Sequence, residues 1–251
     1  MQNHKKRIVV VGATSSIAEH CMRRWVTEAD VQLILLCRSG AKAEMIAADL
    51  KVRGPNAEVQ VVECEFIGAS AIRRQVDAIV DEGPIDTVLI AHGSLPDQAQ
   101  CQQDLGSAAD ALTVNGISPV LFAEAFAYHM ANANRGTLGI IGSVAGDRGR
   151  KSNYVYGAAK GLVTRYAQGM QHRFANTGVN VVLIKPGPTS TPMTAHLAER
   201  GARLANVEEV AQDITEGMRA GKHTIYTPTK WALIMMVIRH LPRMIFNRLD
   251  I

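Results

Sequence analysis

The chain has 251 residues, 47% of them apolar and 20% charged. That composition excludes a disordered or collagen-like chain and suffices for one large core, so one α/β domain is expected rather than two. The net charge of +4 suits a small anionic ligand, and with 5% aromatic residues not interleaved with the basic ones, nucleic-acid binding is not expected.

The four cysteines, Cys21, Cys37, Cys64 and Cys101, show no paired spacing. His129, His172 and His196 show no ligand spacing either, so neither a disulfide nor a metal site is expected. The polar start at residues 1–7 and the brief apolar run behind it are too short for a signal sequence, and a cytoplasmic location is expected.

In chain order, short β-branched runs stand at residues 7–12 (RIVVVG), 32–37 (QLILLC), 58–63 (EVQVVE), 87–91, 136–143, 180–185 and 223–227. They read as seven strands buried on both faces. Between them, residues 41–52, 71–82, 108–130 and 154–176 carry helical spacing. Asn206, with Glu209 three residues on, starts a further helix that runs to about residue 220 and stops at Gly221. Regular alternation predicts a doubly wound, seven-stranded parallel α/β sheet with helices on both faces.

The first strand ends in GATSSIAEH, residues 12–20, a tight turn into a helix whose free N–H groups and dipole can hold a pyrophosphate. Gly12, Thr14, Ser15, Ser16 and Ile17 are the candidate cradle. A full GxxxGxG pattern would need glycine where Ser16 and Ala18 stand, so the motif alone is weak and a plain strand-to-helix turn is the alternative. After the second strand comes Arg38 where an NAD-binding protein would place a carboxylate on the ribose. A guanidinium there can pair with a 2′-phosphate, which favours NADP(H), against the alternative of a solvated loop arginine. Glu65, after the third strand, is a candidate for the adenine amino group.

The strongest signal is SVAGDRGRKSNYVYGAAKG, in which Ser143 ends the fifth strand and Tyr156 and Lys160 stand four apart on the next helix. That spacing puts both side chains on one face. A phenol titrates near pH 10 and needs a nearby positive charge to exchange protons near neutrality. Lys160 and a cationic nicotinamide ring are expected to supply it, Ser143 to hydrogen-bond the substrate oxygen, and Asn115 to tie a water to the lysine.

With these residues in order, the chain resembles the short-chain dehydrogenase/reductase family over nearly its whole length. The resemblance implies a Rossmann-type unit over residues 1–228, followed by a helical tail, apolar and basic, at 229–251. It implies Asn115, Ser143, Tyr156 and Lys160 as the catalytic set. It also implies backbone contact with a ribose from Ala91 and Gly93, and Pro186, Gly187, Thr189 and Thr191 beside the nicotinamide. The family's NNAG is replaced here by IAHG, residues 90–93, which leaves the role of His92 open. Family members are usually dimers or tetramers, so a homo-oligomer is implied.

Arg148, Arg150 and Lys151 lie between Ser143 and Tyr156. They read either as binders of a phosphate-bearing substrate or as a solvated or subunit-facing loop. In the tail an apolar run at 231–238 is followed by Arg239, Arg243 and Arg248 among apolar neighbours. Eight residues cannot span a bilayer. Such a segment can lie in a membrane interface, wall a groove for a long apolar chain, or pack as a core or oligomer helix. Within the family, GATSSIAEH, AHG, SVAGDRGR, SNYVYGAAK and this tail most resemble reductases of a 2-keto pentose linked to a polyprenyl phosphate in cell-envelope arabinan synthesis. Reduction of a lipid ketone (keto-sphingoid, 3-oxoacyl or steroid-like) and a catalytically silent NADP-binding scaffold are the alternatives.

Overall fold

The structure is a computed structural model and describes residues 5–199 and 201–249. Seven strands form one sheet: β1 (Lys6–Val11), β2 (Val31–Cys37), β3 (Glu58–Glu63), β4 (Thr87–Ile90), β5 (Gly136–Ile141), β6 (Val179–Pro186) and β7 (Thr224–Thr227). Their order is β3-β2-β1-β4-β5-β6-β7 and every neighbouring pair is parallel. All seven expected strands are present, with ends shifted by one or two residues. The order reverses between β1 and β4, so the connections leaving these strands diverge and open a crevice at their carboxyl ends.

The strands are apolar throughout because helices cover both faces. On one face Val9, Val11, Ile34, Leu36, Val88, Ile90, Leu138 and Ile140 pack with Phe122, Phe126, Val163 and Met170. These belong to α6 (Ser118–Ala133) and α7 (Tyr154–Arg173), which share the layer with α3 (Ala69–Asp81). On the other face Ile8, Val10, Leu33, Leu35, Leu89, Val182 and Ile184 meet residues of α1 (Ser16–Glu28), α2 (Gly40–Arg53) and α9 (Val207–Arg219). Adjacent residues of one strand thus feed opposite cores, as a period of two requires.

The single helix expected over 108–130 is interrupted. It runs as α5 (Leu105–Leu112), a π-helical turn over Thr113–Ile117 and then α6. Pro119 has no N–H to give to the carbonyl four residues back, and Ser118 N–H reaches past it to Thr113 O. Such bulges recur at functional sites, and this one carries Asn115. A short helix α4 (Gln98–Gln103), capped by Asp97, was not expected. Asn206 caps α9, but its side chain accepts from Glu208 N–H and not in a box with Glu209. Gly221 ends that helix at φ +63°.

Beyond β7 the tail forms α10 (Lys230–His240) and α11 (Arg243–Phe246), after the five-residue α8 (Ala195–Glu199) and α9 earlier in the chain. Residues 250 and 251 of the expected tail, and 1–4 of the expected main unit, lie outside the described residues. Met235 is fully buried, whereas Leu233, Met236, Val237, Met244 and Ile245 are exposed. Among the described residues, no helix is long and apolar enough to cross a membrane.

Candidate active site

The site is assembled from the carboxyl ends of the strands. β1 ends at Gly12, whose φ of +83° lies in the left-handed region. A side chain there would put its Cβ 2.6 Å from that of His92, so only glycine allows the turn to pass β4. Gly12 and Ala13 donate to Leu36 O at 2.9 and 3.1 Å, which ties this turn to the end of β2. Ser15 then caps α1 with extended backbone and makes no side-chain capping bond.

A cavity of about 520 Å³ opens at this turn, lined by Gly12, Thr14, Ser15, Ser16, Ile17, Arg38, Glu65, Ala91, His92, Gly93 and Thr191 among others. Every candidate cofactor residue from the first four strand ends lies on its wall. Arg38 is exposed at the rim. Sequence reasoning missed Lys42, a second cation on this wall, whose Nζ donates to Thr14 O at 3.2 Å. Its place in the first turn of α2, four residues after Arg38, was the available signal.

His92 fills the space behind this wall. Its Nε2 is 2.8 Å from Ser118 Oγ, and Ser118 donates its one proton to Phe66 O. The ring stands edge-on to Phe66 and Phe122. Burial first, then the charges of Lys160 and Arg38, push its pKa down to about 3, so the imidazole is neutral. Since Ser118 has no second proton to give, Nε2 carries the hydrogen.

A smaller cavity of about 100 Å³ adjoins the first and shares Ser15, Ile17, Ala91, His92, Gly93, Thr191 and Met193 with it. Asn115, Ser143, Tyr156, Lys160, Pro186, Gly187 and Thr189 line it as well. The structure therefore brings the four catalytic candidates and the nicotinamide-side candidates into one compartment. Ser94, Met193 and Thr194 also line it and were missed.

Within this compartment Ser143 Oγ accepts from Ala145 N–H at 3.1 Å, and its hydroxyl favours the ionised form of Tyr156. Lys160 is almost fully buried, its ammonium donates to Ile141 O at 3.0 Å, and it lies 5.9 Å from the centre of the Tyr156 ring. Burial lowers the Lys160 pKa to about 8. Burial also raises Tyr156, and only the Ser143 hydroxyl opposes this. Desolvation outweighs Lys160 at the phenol, which is why the expected acidification calls on a cationic nicotinamide ring as well as the lysine.

Asn115 is held by donating to Ala111 O at 2.9 Å and Ser94 Oγ at 3.3 Å, while its Oδ1 accepts from Ser94 N–H at 2.8 Å. One lone pair of Oδ1 is left. Gly93 stands between this oxygen and the lysine, and a Cβ there would lie 2.8 Å from Oδ1 and 3.6 Å from Lys160 Nζ. The missing side chain keeps a passage open between the two groups.

Arg148, Arg150 and Lys151 line neither cavity. Arg148 donates to Ile238 O and Leu241 O and stacks 3.7 Å over the Phe246 ring, so its guanidinium is taken up by the tail. Arg150 is half-buried and its pKa is lowered by desolvation, while Lys151 is exposed. Among the described residues, no cluster of three or more His, Cys, Asp or Glu could hold a metal ion. Cys21, Cys37 and Cys101 are buried free thiols, and Cys64 is half-buried.

This cleft, built on a doubly wound sheet with a Ser-Tyr-Lys set beside a glycine turn that opens a helix, has the layout of an oxidoreductase. Residues 6–202 match the short chain dehydrogenase family, and the chain belongs to it. It is 31% identical over 245 residues to an uncharacterised oxidoreductase of Mycobacterium tuberculosis, covering 96% of each chain. It is 29% identical over 246 residues to another of Streptomyces coelicolor, covering 97% of this chain and 96% of that one.

Among solved structures, a short-chain dehydrogenase from Sphingobium yanoikuyae in complex with NADPH superposes with a TM-score of 0.82 at 18% identity, covering 95% and 96% of the two chains. The actinorhodin polyketide ketoreductase with NADPH gives 0.77 at 21%, covering 88% and 94%. Family members use a nicotinamide dinucleotide, and the residues present fit one. The turn at Gly12 and the start of α1 open into the larger compartment, and the smaller one that holds Tyr156 and Lys160 adjoins it.

A Lys160 pKa of about 8 sets a pH limit. The ammonium is the form below that value, so kcat/KM for ketone reduction is expected to fall as pH rises through about 8. In Lys160→Arg the guanidinium stays charged, and the residual activity should lose this alkaline limb. A wild-type rate that is flat to about pH 10 removes Lys160 from the proton path.

Proposed function

We propose that this chain is an NADPH-dependent carbonyl reductase in which Tyr156 gives a proton to a ketone oxygen held by Ser143. The convergence of Ser143, Tyr156 and Lys160 on one compartment with Pro186 and Gly187 carries this reading. When bound, the dinucleotide supplies the hydride and a cationic ring in its oxidised form. Ser143 orients the oxygen and lowers the cost of ionising the phenol. Lys160 stabilises the phenolate, and the gap at Gly93 leads from the lysine toward Asn115 for return of the proton.

The choice of NADPH over NADH rests on Arg38, with Lys42 also on the cavity wall and no carboxylate at the end of the second strand. A charge-assisted contact of this kind contributes about 2 kcal/mol, or about 30-fold in affinity. Arg38→Ala should therefore weaken NADPH binding by about that factor in calorimetry and leave NADH within about twofold. Equal losses for both would refute a 2′-phosphate contact.

For the substrate we propose a keto sugar linked to a polyprenyl phosphate, or a related envelope-polysaccharide precursor. The motif resemblance and the tail support it: α10 and α11 expose Leu233, Met236, Val237, Met244 and Ile245 beside Arg239, Arg243 and Arg248. This combination fits peripheral contact with an anionic membrane surface, where such a substrate is held. A lipid ketone would use the same tail, and the engagement of Arg148 with α10 weakens the arginine-rich entrance that favoured a phosphate.

NADPH consumption is expected with 2-keto pentose phosphates bearing a prenyl chain. It should be at least about tenfold slower with long-chain 3-oxoacyl and keto-sphingoid compounds, the order expected for a lost charged contact; the reverse ranking would overturn this assignment in favour of the lipid ketone. Separately, the protein should sediment with vesicles containing phosphatidylglycerol, and the pair Arg239→Glu and Arg243→Glu should release it. If the wild type stays in the supernatant, the tail does not meet membranes.

A further inference from the structure

The C-terminal helix has a second face, turned inward, that reaches the reacting end of the cleft. At Gly187 a Cβ would lie 2.0 Å from Trp231 Nε1 and 2.4 Å from Cε2, so the indole occupies the place a side chain would take. Gly187 N–H donates to Thr227 O at 2.9 Å, and Gly187 O accepts from Thr189 Oγ1 at 3.0 Å. Pro186 and Pro188 flank it, each with a restricted φ, which leaves Gly187 as the softest joint of the turn. Pro186, Gly187 and Thr189 face Ser143, Tyr156 and Lys160 across the small compartment.

At its other end α10 is fastened to the loop that follows Ser143. Arg148 leaves the chain five residues after Ser143 and holds Ile238 O and Leu241 O while stacking on Phe246. Met235, fully buried, anchors the helix between these two points. One rigid helix therefore touches both the turn at Gly187 and the loop that carries Ser143.

We infer that Trp231 is a positioning residue: through contact with Gly187 it fixes the wall against which the nicotinamide end of the dinucleotide rests. This rests on the reading of the cleft as an NADPH site with Pro186 and Gly187 at its nicotinamide end. Trp231 is not among the residues lining the larger compartment, whose walls come mostly from the ends of β1 to β4. Loss of Trp231 should thus act on half of the dinucleotide only.

The test compares NADPH with 2′,5′-ADP, which has the phosphorylated adenosine half and lacks the nicotinamide. Calorimetric binding of both would be measured on wild type, Trp231→Ala and Trp231→Phe. Trp231→Ala is expected to weaken NADPH at least about tenfold and leave 2′,5′-ADP within about twofold, because misplacement of a wall by about 1 Å carries penalties of that order or more. Trp231→Phe, which keeps a flat ring against the turn, should recover most of the NADPH affinity.

Unchanged NADPH binding in Trp231→Ala overturns the proposal. So does parallel loss of both ligands, or loss without recovery in Trp231→Phe, since either marks a general packing defect. A wild-type protein that binds 2′,5′-ADP no better than 5′-AMP overturns instead the underlying NADPH assignment.

Discussion

The buried ammonium of Lys160 governs how the rest of the cleft is arranged. A lysine 3% exposed is stripped of most of its water, and among the described residues its ammonium hydrogen-bonds the carbonyl of Ile141 alone. That bond comes from the residue that ends β5, so the lysine is fixed to the strand that also delivers Ser143. Close packing of α7 secures the opposite side. A Cβ at Gly146 would lie 2.5 Å from Lys160 O, and Gly116 of the π turn approaches Ala159 in the same manner. Tyr156, Lys160 and Ser143 are thus held about one strand end, and desolvation brings the lysine to a pKa where its charge responds to small changes in its surroundings.

A buried ion pair does for the loop what Ile141 does for the lysine. Lys185, just before the turn at Pro186, pairs with Asp147 in the loop after Ser143, and the Tyr226 hydroxyl donates to the same carboxylate. Both charged side chains are almost completely buried. Pairs of this kind contribute little net stability over apolar packing but are costly to break singly. Their effect here is to lock the ends of β5, β6 and β7 together beneath the compartment, while Arg148, next in sequence to Asp147, turns outward to the tail.

The sheet and most of the cleft were readable in the sequence because both depend on local signals. Continuous β-branched runs mark strands covered on both faces, and a Tyr and Lys four apart on a helix share a face wherever the helix lies. What was not readable depended on which distant segments meet. The π turn required weighing Pro119 against an otherwise uniform helical pattern. The partners of Arg148 stand 90 and more residues away, so a loop rich in cations looked open to ligand when one of them was already engaged. The acid strength of Tyr156 also escaped sequence reasoning, since spacing shows a neighbouring charge but not the water removed around it.

The sheet has one outer edge at β3, and its composition bears on how copies of the chain can associate. Glu58, Gln60 and Glu63 are exposed along that strand, and Glu63 spends its carboxylate on the N–H of Gly40 at the start of α2. A like strand approaching from this side would meet the same acidic groups, and repulsion between them opposes runaway edge-to-edge polymerisation. Growth of a continuous sheet from one molecule into the next is blocked on this flank, which leaves helical surfaces to do any joining.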